Sequence, residues 1–131
     1  MALPLKILVA CGSWHIGVRI IHNLDSINGI DIVGQARNAD ETLEQVLSKK
    51  PDLIILDVLL SHGTGLDVLH TVKQIPAAPV VVMTSASLFA QYRTECLKGG
   101  ADHFVHLPGE VDALNTIVRE LVDSARIVDG Q

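Results

Sequence analysis

The sequence has few aromatic residues, few cysteines and no long apolar run. Phe, Trp and Tyr make up 3% of its 131 residues, which leaves little for stacking nucleic-acid bases. The two cysteines, Cys11 and Cys96, are too few for a disulfide framework, so we expect a reducing, cytoplasmic environment. No apolar stretch approaches the ~18 residues of a membrane-spanning helix, and the first residues lack the order of a signal peptide.

Basic residues are also scarce. Ten Lys and Arg stand against fifteen Asp and Glu, which gives a formal charge of -5. The basic residues are scattered, with only Lys49 and Lys50 adjacent, so we expect neither nucleic acid nor a membrane as a partner. Hydrophobic residues make up 48% of the chain. This composition predicts one domain over residues 1–131, with its core at about 5–123.

Short apolar runs alternate with helical patterns along the chain. The runs predicted to be strands are Leu5–Ala10, Ile30–Ala36, Leu53–Leu56, Val80–Met83 and His103–His106. Apolar residues at helical spacing predict helices over about 14–27, 40–50, 66–75, 87–98 and from Val111 onward. This alternation predicts a parallel sheet between two helical layers. Right-handed crossovers make it an α/β, flavodoxin-like, doubly wound sheet in strand order 2-1-3-4-5.

Asp57 stands at the carboxyl end of the third predicted strand. It follows the apolar run Leu53–Leu56, and charged residues are rarely placed beside a core strand without a role. In open parallel sheets, ligands bind at the carboxyl ends of the strands, where the strand order reverses. The other strand ends at this edge carry Cys11 and Gly12, Thr84 and Ser85, and His106 and Leu107. The pattern predicts a site in which Asp57 is the single acidic residue.

At these positions the sequence resembles the receiver domains of bacterial response regulators. The resemblance runs from Lys6 to about Asp123. It is carried by four segments in order, which are Pro51–Asp57, Gly65, Pro79–Thr84, and Gly100–Phe104 with Pro108. It implies signal transduction in a two-component phosphorelay rather than an enzymatic activity.

The resemblance implies a role for several single residues. Asp57 falls at the position that accepts a phosphoryl group from a histidine kinase. Thr84 falls at the hydroxyl position that contacts the phosphoryl oxygens. Phe104 falls at the aromatic position that turns inward afterwards. Pro108 falls where the family has a cis proline, so the Leu107–Pro108 bond is a candidate cis peptide.

Two elements of the family site are missing. The acidic pair that holds Mg²⁺ in the family falls on Cys11 and Gly12, and the lysine that pairs with the phosphoryl group falls on Leu107. Magnesium needs hard oxygen ligands, and phosphoryl transfer relies on positioned positive charge. We therefore expect an atypical receiver with weak or no Mg²⁺-dependent phosphorylation of Asp57, no cofactor and no metal-binding residues.

The resemblance also implies protein partners. A histidine kinase or a downstream regulator would bind the face formed by the fourth helix, the fifth strand and the fifth helix, and the chain could form a homodimer. Two alternatives stay open at this edge of the sheet. Asp57 could still be an active phosphoacceptor, or the site that has lost its charges could bind a small molecule.

Cys11 allows a further alternative. It lies between a strand and the start of a helix, a setting that lowers the pKa of a thiol. The segment Leu8–Gly12 is similar to the loop of sugar-phosphotransferase IIB proteins, where such a cysteine carries phosphate, although the residues that follow do not continue that loop. A phosphorylated or redox-active Cys11 is therefore one interpretation, and an inert core cysteine is the simpler one.

Overall fold

The structure is a computed structural model that describes residues 3–87 and 90–129, with side chains as far as residue 125. Its strands are β1 (Leu5–Ala10), β2 (Ile30–Ala36), β3 (Leu53–Asp57), β4 (Val80–Ser85) and β5 (His103–His106). Its helices are α1 (Trp14–Leu24), α2 (Ala39–Lys49), α3 (Gly65–Val72), α4 (Ala90–Lys98) and α5 (Val111–Asp129). In these described ranges no helix has the length and apolar character to cross a bilayer.

The five strands form one parallel sheet in the order β2-β1-β3-β4-β5. The predicted flavodoxin-like fold, with its doubly wound sheet and five helices, is thereby confirmed. The strand order reverses between β1 and β3, where crossovers leave to opposite faces of the sheet. The register places Ala10 beside Leu56 and Asp57 beside Thr84. The carboxyl ends of β1, β3 and β4 therefore meet at one edge.

The central strand β3 is buried on both faces, which explains why its sequence lacks polar alternation. Ile54 and Leu56 pack into a cluster with residues of α2, α3 and α4. Leu53 and Ile55 point to the opposite cluster, which contains residues of α1 and α5. The strand thus joins the two halves of the core, and the next side chain along it, Asp57, emerges at the rim of both.

Three helices begin with a side-chain cap. Ser13, Asn38 and Thr64 each accept a hydrogen bond from the backbone amide three residues later. These residue types are favoured at the start of a helix because they satisfy an amide that has no partner inside the helix. The caps of α1 and α3 lie in the loops after β1 and β3, so they also fix the loops that border the site.

Two helices end earlier than their apolar spacing predicts. Helix α1 ends at Leu24 rather than residue 27, and α3 ends at Val72 rather than residue 75. In both cases one tighter turn follows, because the amides of Ile27 and Ile75 donate to the carbonyls three residues back. Both isoleucines still pack on the core. Because these buried isoleucines continue the apolar spacing, the sequence pattern runs past the last residue of each helix.

Other element boundaries also differ from the predicted ones. Strands β3 and β4 continue to Asp57 and Ser85, so both include residues of the predicted site. Helix α4 begins at Ala90, and its predicted start at residue 87 borders residues 88–89, which lie outside the described residues. Helix α5 continues to Asp129, past the predicted core limit at residue 123.

Candidate functional site

Asp57 lies at the rim of the sheet with only 9% of its surface exposed. Its Oδ1 accepts a hydrogen bond of 2.8 Å from the Leu59 amide. Its Oδ2 accepts from the Thr84 hydroxyl at 3.5 Å and from the Cys11 thiol at 3.6 Å. Three residues singled out from the sequence, on three different strands or strand ends, therefore meet at one carboxylate.

The Asp57 carboxylate has no cation beside it. The ion pairs in the described part of the chain are Lys73–Asp102 and Arg93–Glu110, and no Lys, Arg or His nitrogen there lies within 4.0 Å of Asp57. Burial raises the pKa of Asp57, and its three hydrogen bonds oppose that rise. Burial dominates because two of those bonds are long and one of the donors is a weak S–H group.

Cys11 is 2% exposed, and its thiol faces the carboxylate. Burial first, and then the negative charge of Asp57, raise the pKa of Cys11 to about 11, although a backbone hydrogen bond at Ser13 opposes both effects. The predicted lowering of the thiol pKa at the start of α1 is therefore wrong. An apolar site next to an anion outweighs the favourable helix end, so the thiol is protonated at neutral pH.

Gly12 brings the loop after β3 close to the end of β1. Its amide donates to the Leu59 carbonyl over 3.2 Å. A Cβ atom at Gly12 would lie 3.0–3.1 Å from backbone atoms of Leu59, Leu60 and Ser61. The loop thus packs directly onto a position where the family carries an acidic side chain, and any side chain there would require the loop to move.

Gly65 holds the other end of the same loop against β3. Its amide donates to the Val58 carbonyl at 2.8 Å, and a Cβ atom at this position would overlap the Asp57 carbonyl oxygen. Only glycine allows the start of α3 to approach the strand so closely. The residues 58–64 are therefore held at both ends, and the Asp57 side chain is held with them.

Of the oxygen ligands that suit Mg²⁺, the described residues around Asp57 provide a single carboxylate. Magnesium takes near-octahedral coordination by oxygen, usually with one or two carboxylates. Here the neighbours are a protonated thiol and a glycine, and the Leu59 carbonyl already accepts the Gly12 amide. Over the ranges that the structure describes, no three His, Cys, Asp or Glu side chains are grouped to hold a metal ion.

Leu107 and Pro108 border the site on the side of β5. The peptide bond between them is cis. The Leu107 amide donates to the Ser85 carbonyl at 3.0 Å, and its side chain packs against the cluster formed with α1 and α5. Hydrocarbon therefore occupies the position where the family has its lysine.

Phe104 lies in the core cluster with residues of β4 and α4, and 9% of it is exposed. The Arg93 guanidinium lies over its ring, 4.9 Å from the centroid. Arg93 also pairs with Glu110 at 2.7 Å, and the same Glu110 oxygen accepts the His106 amide at 2.7 Å. We call these four residues the Arg93 network. Sequence reasoning missed Arg93 and Glu110, because no motif links two residues 17 positions apart.

The fold and the site together define a class of protein. It is an open, doubly wound parallel sheet with a nearly buried aspartate and a threonine hydroxyl where the strand order reverses. A comparison with protein families narrows this class. The sequence model described as response regulator receiver domain matches residues 16–119. The chain belongs to that family, and it is a receiver domain of the kind found in two-component signalling.

Curated relatives contain the domain as one part of longer proteins. The chain is 32% identical over 130 residues to protein-glutamate methylesterase/protein-glutamine glutaminase 5 of Myxococcus xanthus, covering 97% of this chain and 37% of that protein. It is 37% identical over 97 residues to the regulatory protein LuxO of Vibrio cholerae, covering 73% of this chain and 20% of that protein. The chain thus spans about a third or less of the length of these two relatives.

Solved structures agree with the fold. A signal receiver domain from Vibrio parahaemolyticus superposes with a TM-score of 0.84 at 24% identity, covering 97% of this chain and 96% of that one. The receiver domain of Francisella response regulator 1452 gives a TM-score of 0.78 at 26% identity, covering 91% of this chain and 97% of that one. The first similarity shows the fold alone, since its identity is low.

Proposed function

We propose that this receiver domain acts by binding other proteins, with weak or no Mg²⁺-dependent phosphorylation of Asp57. The observation that carries the proposal is the set of groups around the carboxylate, which is a thiol and a hydroxyl at 3.6 and 3.5 Å. Phosphoryl transfer depends on cations that neutralise the developing charge. One charge pair at 4 Å near a protein surface is worth roughly 4 kcal/mol, so the loss of two cations lowers the rate by orders of magnitude.

In this proposal Asp57 keeps the phosphoacceptor position, while Thr84 and Phe104 keep the switch positions without receiving a phosphoryl group. The Thr84 side chain is fully buried against the carboxylate. The Phe104 ring is packed in the core and covered by Arg93. Both side chains therefore already lie inward, which supports a domain held in one conformation.

The partner surface in this proposal is the face formed by α4, β5 and α5. Receiver domains interact with histidine kinases and effector domains, and the Arg93 network ties α4 and β5 to Glu110, which lies directly before α5. The side chains of Arg93 and Glu110 are 46% and 42% exposed, so a partner could contact them. A histidine kinase, a downstream regulator or a second copy of the chain would bind here. Two free, buried cysteines suit work in the cytoplasm.

The proposal is tested by incubating the protein with acetyl phosphate and MgCl₂ and recording its intact mass. We expect little or no gain of a phosphate group. A matched variant, Cys11→Asp with Leu107→Lys, returns one acid and the lysine and should gain phosphate at a measurable rate. The same variant carrying Asp57→Asn should not. Trp14, which is 50% exposed at the start of α1, should show no saturable change in emission with Mg²⁺ in the unmodified protein.

Two outcomes would contradict the proposal. Complete addition of one phosphate that disappears in Asp57→Asn would identify an active acceptor. Addition that persists in Asp57→Asn and disappears in Cys11→Ser would identify the cysteine as the acceptor. The burial and raised pKa of Cys11 argue against this second outcome, because the thiol and not the thiolate is present.

A further inference from the structure

A cleft of about 330 Å³ opens between α1 and the loop that leads from β5 into α5. This volume lies at the small end of the range of about 300–1,000 Å³ for ligand sites. Apolar side chains form its walls, which are Ile16, Ile20, Leu107, Pro108, Val111 and Leu114. Leu107, which stands where the family has lysine, is what makes this side of the cleft apolar.

The polar groups of the cleft are few and unevenly placed. Asp57 lines one end, and Arg19 and Asn23 lie on the α1 side. Asn23 already donates to Asn115 on α5 at 2.7 Å, which holds α1 against α5. Arg19 belongs to an exposed part of α1. The one anionic group in the lining is therefore also the most deeply buried polar group among the described residues of the cleft.

We propose that this cleft binds a small organic ammonium ion, with Asp57 as the anchor for its charge and the apolar walls around its hydrocarbon body. The proposal goes beyond the proposed signalling function and does not depend on it. Asp57 is 9% exposed, and its carboxylate has no ion-pair partner in the described part of the chain. Its Oδ2 has only two long hydrogen bonds, so it can accept a shorter one.

At the Asp57 end of the cleft, away from the exposed Arg19, charge complementarity favours an ammonium ion over other ligands of the same shape. A carboxylate or a phosphate ester entering the cleft would place a second anion beside Asp57, which is unfavourable in a partly buried site. A neutral alcohol can donate a hydrogen bond but brings no charge. An ammonium ion supplies both a donor and the missing positive charge, and hydrogen bonds between charged partners are the stronger ones.

The test uses three probes that share a phenyl ring and differ in their polar group, namely benzylamine, benzyl alcohol and benzoate. Binding is followed by amide chemical shifts, with the Leu59 amide as the reporter because it donates to Asp57 Oδ1. We expect saturable shifts with benzylamine at Leu59, Leu107 and Val111. Benzyl alcohol should bind about tenfold more weakly, which corresponds to about 1.4 kcal/mol, and benzoate should not bind at this site.

Variants then separate the anchor from the walls. Asp57→Asn should weaken benzylamine to the level of benzyl alcohol and leave benzyl alcohol unchanged. Asp123→Asn, on the exposed surface of α5, should change neither. Leu107→Lys places a tethered ammonium in the cleft and should block benzylamine, whereas Leu107→Met should not. Equal binding of benzoate, benzylamine binding that survives Asp57→Asn, or the absence of saturable shifts would overturn the proposal.

Discussion

The corner around Asp57 and the Arg93 network lie on the same edge of the sheet but treat their acidic residues differently. Asp57 is nearly buried and has no ion pair in the described chain, and burial raises its pKa. Glu110 is much more exposed, and the His106 amide and Arg93 lower its pKa. Asp57 has lost most of its contact with solvent and has no cation to offset its negative charge. Glu110 keeps contact with solvent and is also paired with Arg93.

The difference shows that a fold can keep the position of a carboxylate even where the charged groups around that carboxylate have changed. Asp57 is held by a backbone amide and by two neighbouring strands, so its position does not depend on a metal or a lysine. The ionisation of Asp57 does depend on a nearby cation, because burial without one raises its pKa. We therefore expect changes at Asp57 and at Glu110 to have opposite signs, and changes to the backbone beneath Asp57 to have the largest effect.

The largest effect is expected for Gly65→Ala. The new methyl group would overlap the Asp57 carbonyl oxygen, so the loop and β3 must separate, at a cost of about 3 kcal/mol in the free energy of unfolding. Gly109→Ala is the matched change beside the Arg93 network. Its methyl group would meet only the His106 ring, at 3.2 Å, and should change stability by less than about 1 kcal/mol. Urea denaturation of both variants measures the contrast, and equal losses would contradict it.

The second effect is a gain in stability for Asp57→Asn. The folded state raises the pKa of Asp57 above its ordinary value of 3.8, so ionisation at neutral pH favours the unfolded chain. The amide removes this cost and keeps an acceptor for the Leu59 amide. We expect Asp57→Asn to raise the free energy of unfolding at pH 7.

The pH dependence supplies the check for Asp57→Asn. The gain should shrink as the pH falls through the raised pKa and should vanish below 3.8, where both states of the unmodified protein are protonated. Asp123→Asn serves as the surface control and should show no such trend. A loss of stability in Asp57→Asn at pH 7 would mean that its hydrogen bonds outweigh its burial.

The smallest effect is expected at the Arg93 network. Arg93→Ala removes the cation from the Phe104 ring and should cost about 0.5–1 kcal/mol. Arg93→Lys keeps the charge but loses the planar group that contacts the ring and Glu110 together, so it should recover only part of this cost. Thermal unfolding of the two variants gives the comparison, and full recovery by lysine would show that charge alone matters.

The same network should respond to acid in the opposite sense to Asp57. The folded state lowers the pKa of Glu110 below its ordinary value of 4.5, first through the His106 amide and then through Arg93. Its stabilising contribution is therefore present above pH 4.5 and is lost as the pH falls through the lowered pKa. Glu110→Gln should remove this part of the acid sensitivity, and an unchanged acid transition would contradict it.

Much of the fold follows from sequence because its causes are local. The apolar run Leu53–Leu56 is typical of a strand covered on both faces, and the structure places it as one. The helix ends were less predictable, since Ile27 and Ile75 continue the apolar pattern from beyond the last turn. Burial of the two isoleucines determines where the apolar pattern ends, whereas the backbone hydrogen bonds determine where each helix ends.

The sequence predicted which residues meet at the site but not how their surroundings change their pKa values. Parallel strands bring Cys11, Asp57 and Thr84 to one edge whatever their side chains do. The pKa of Cys11 depends instead on its burial and on a contact with Asp57, a residue 46 positions away, and together these reversed the expected direction. The Arg93–Glu110 pair and the packing of the loop on Gly12 have the same origin, because each joins segments that no spacing rule connects.

The contact at Gly12 has a consequence for the order in which substitutions could accumulate. A Cβ atom added at Gly12 would lie 3.0–3.1 Å from backbone atoms of Leu59, Leu60 and Ser61, so an acidic side chain there requires the loop to give way. A substitution that first widens the loop would remove this obstacle. An acidic pair at positions 11 and 12 is therefore opposed by main-chain atoms at Gly12, and not only by the absence of a carboxylate.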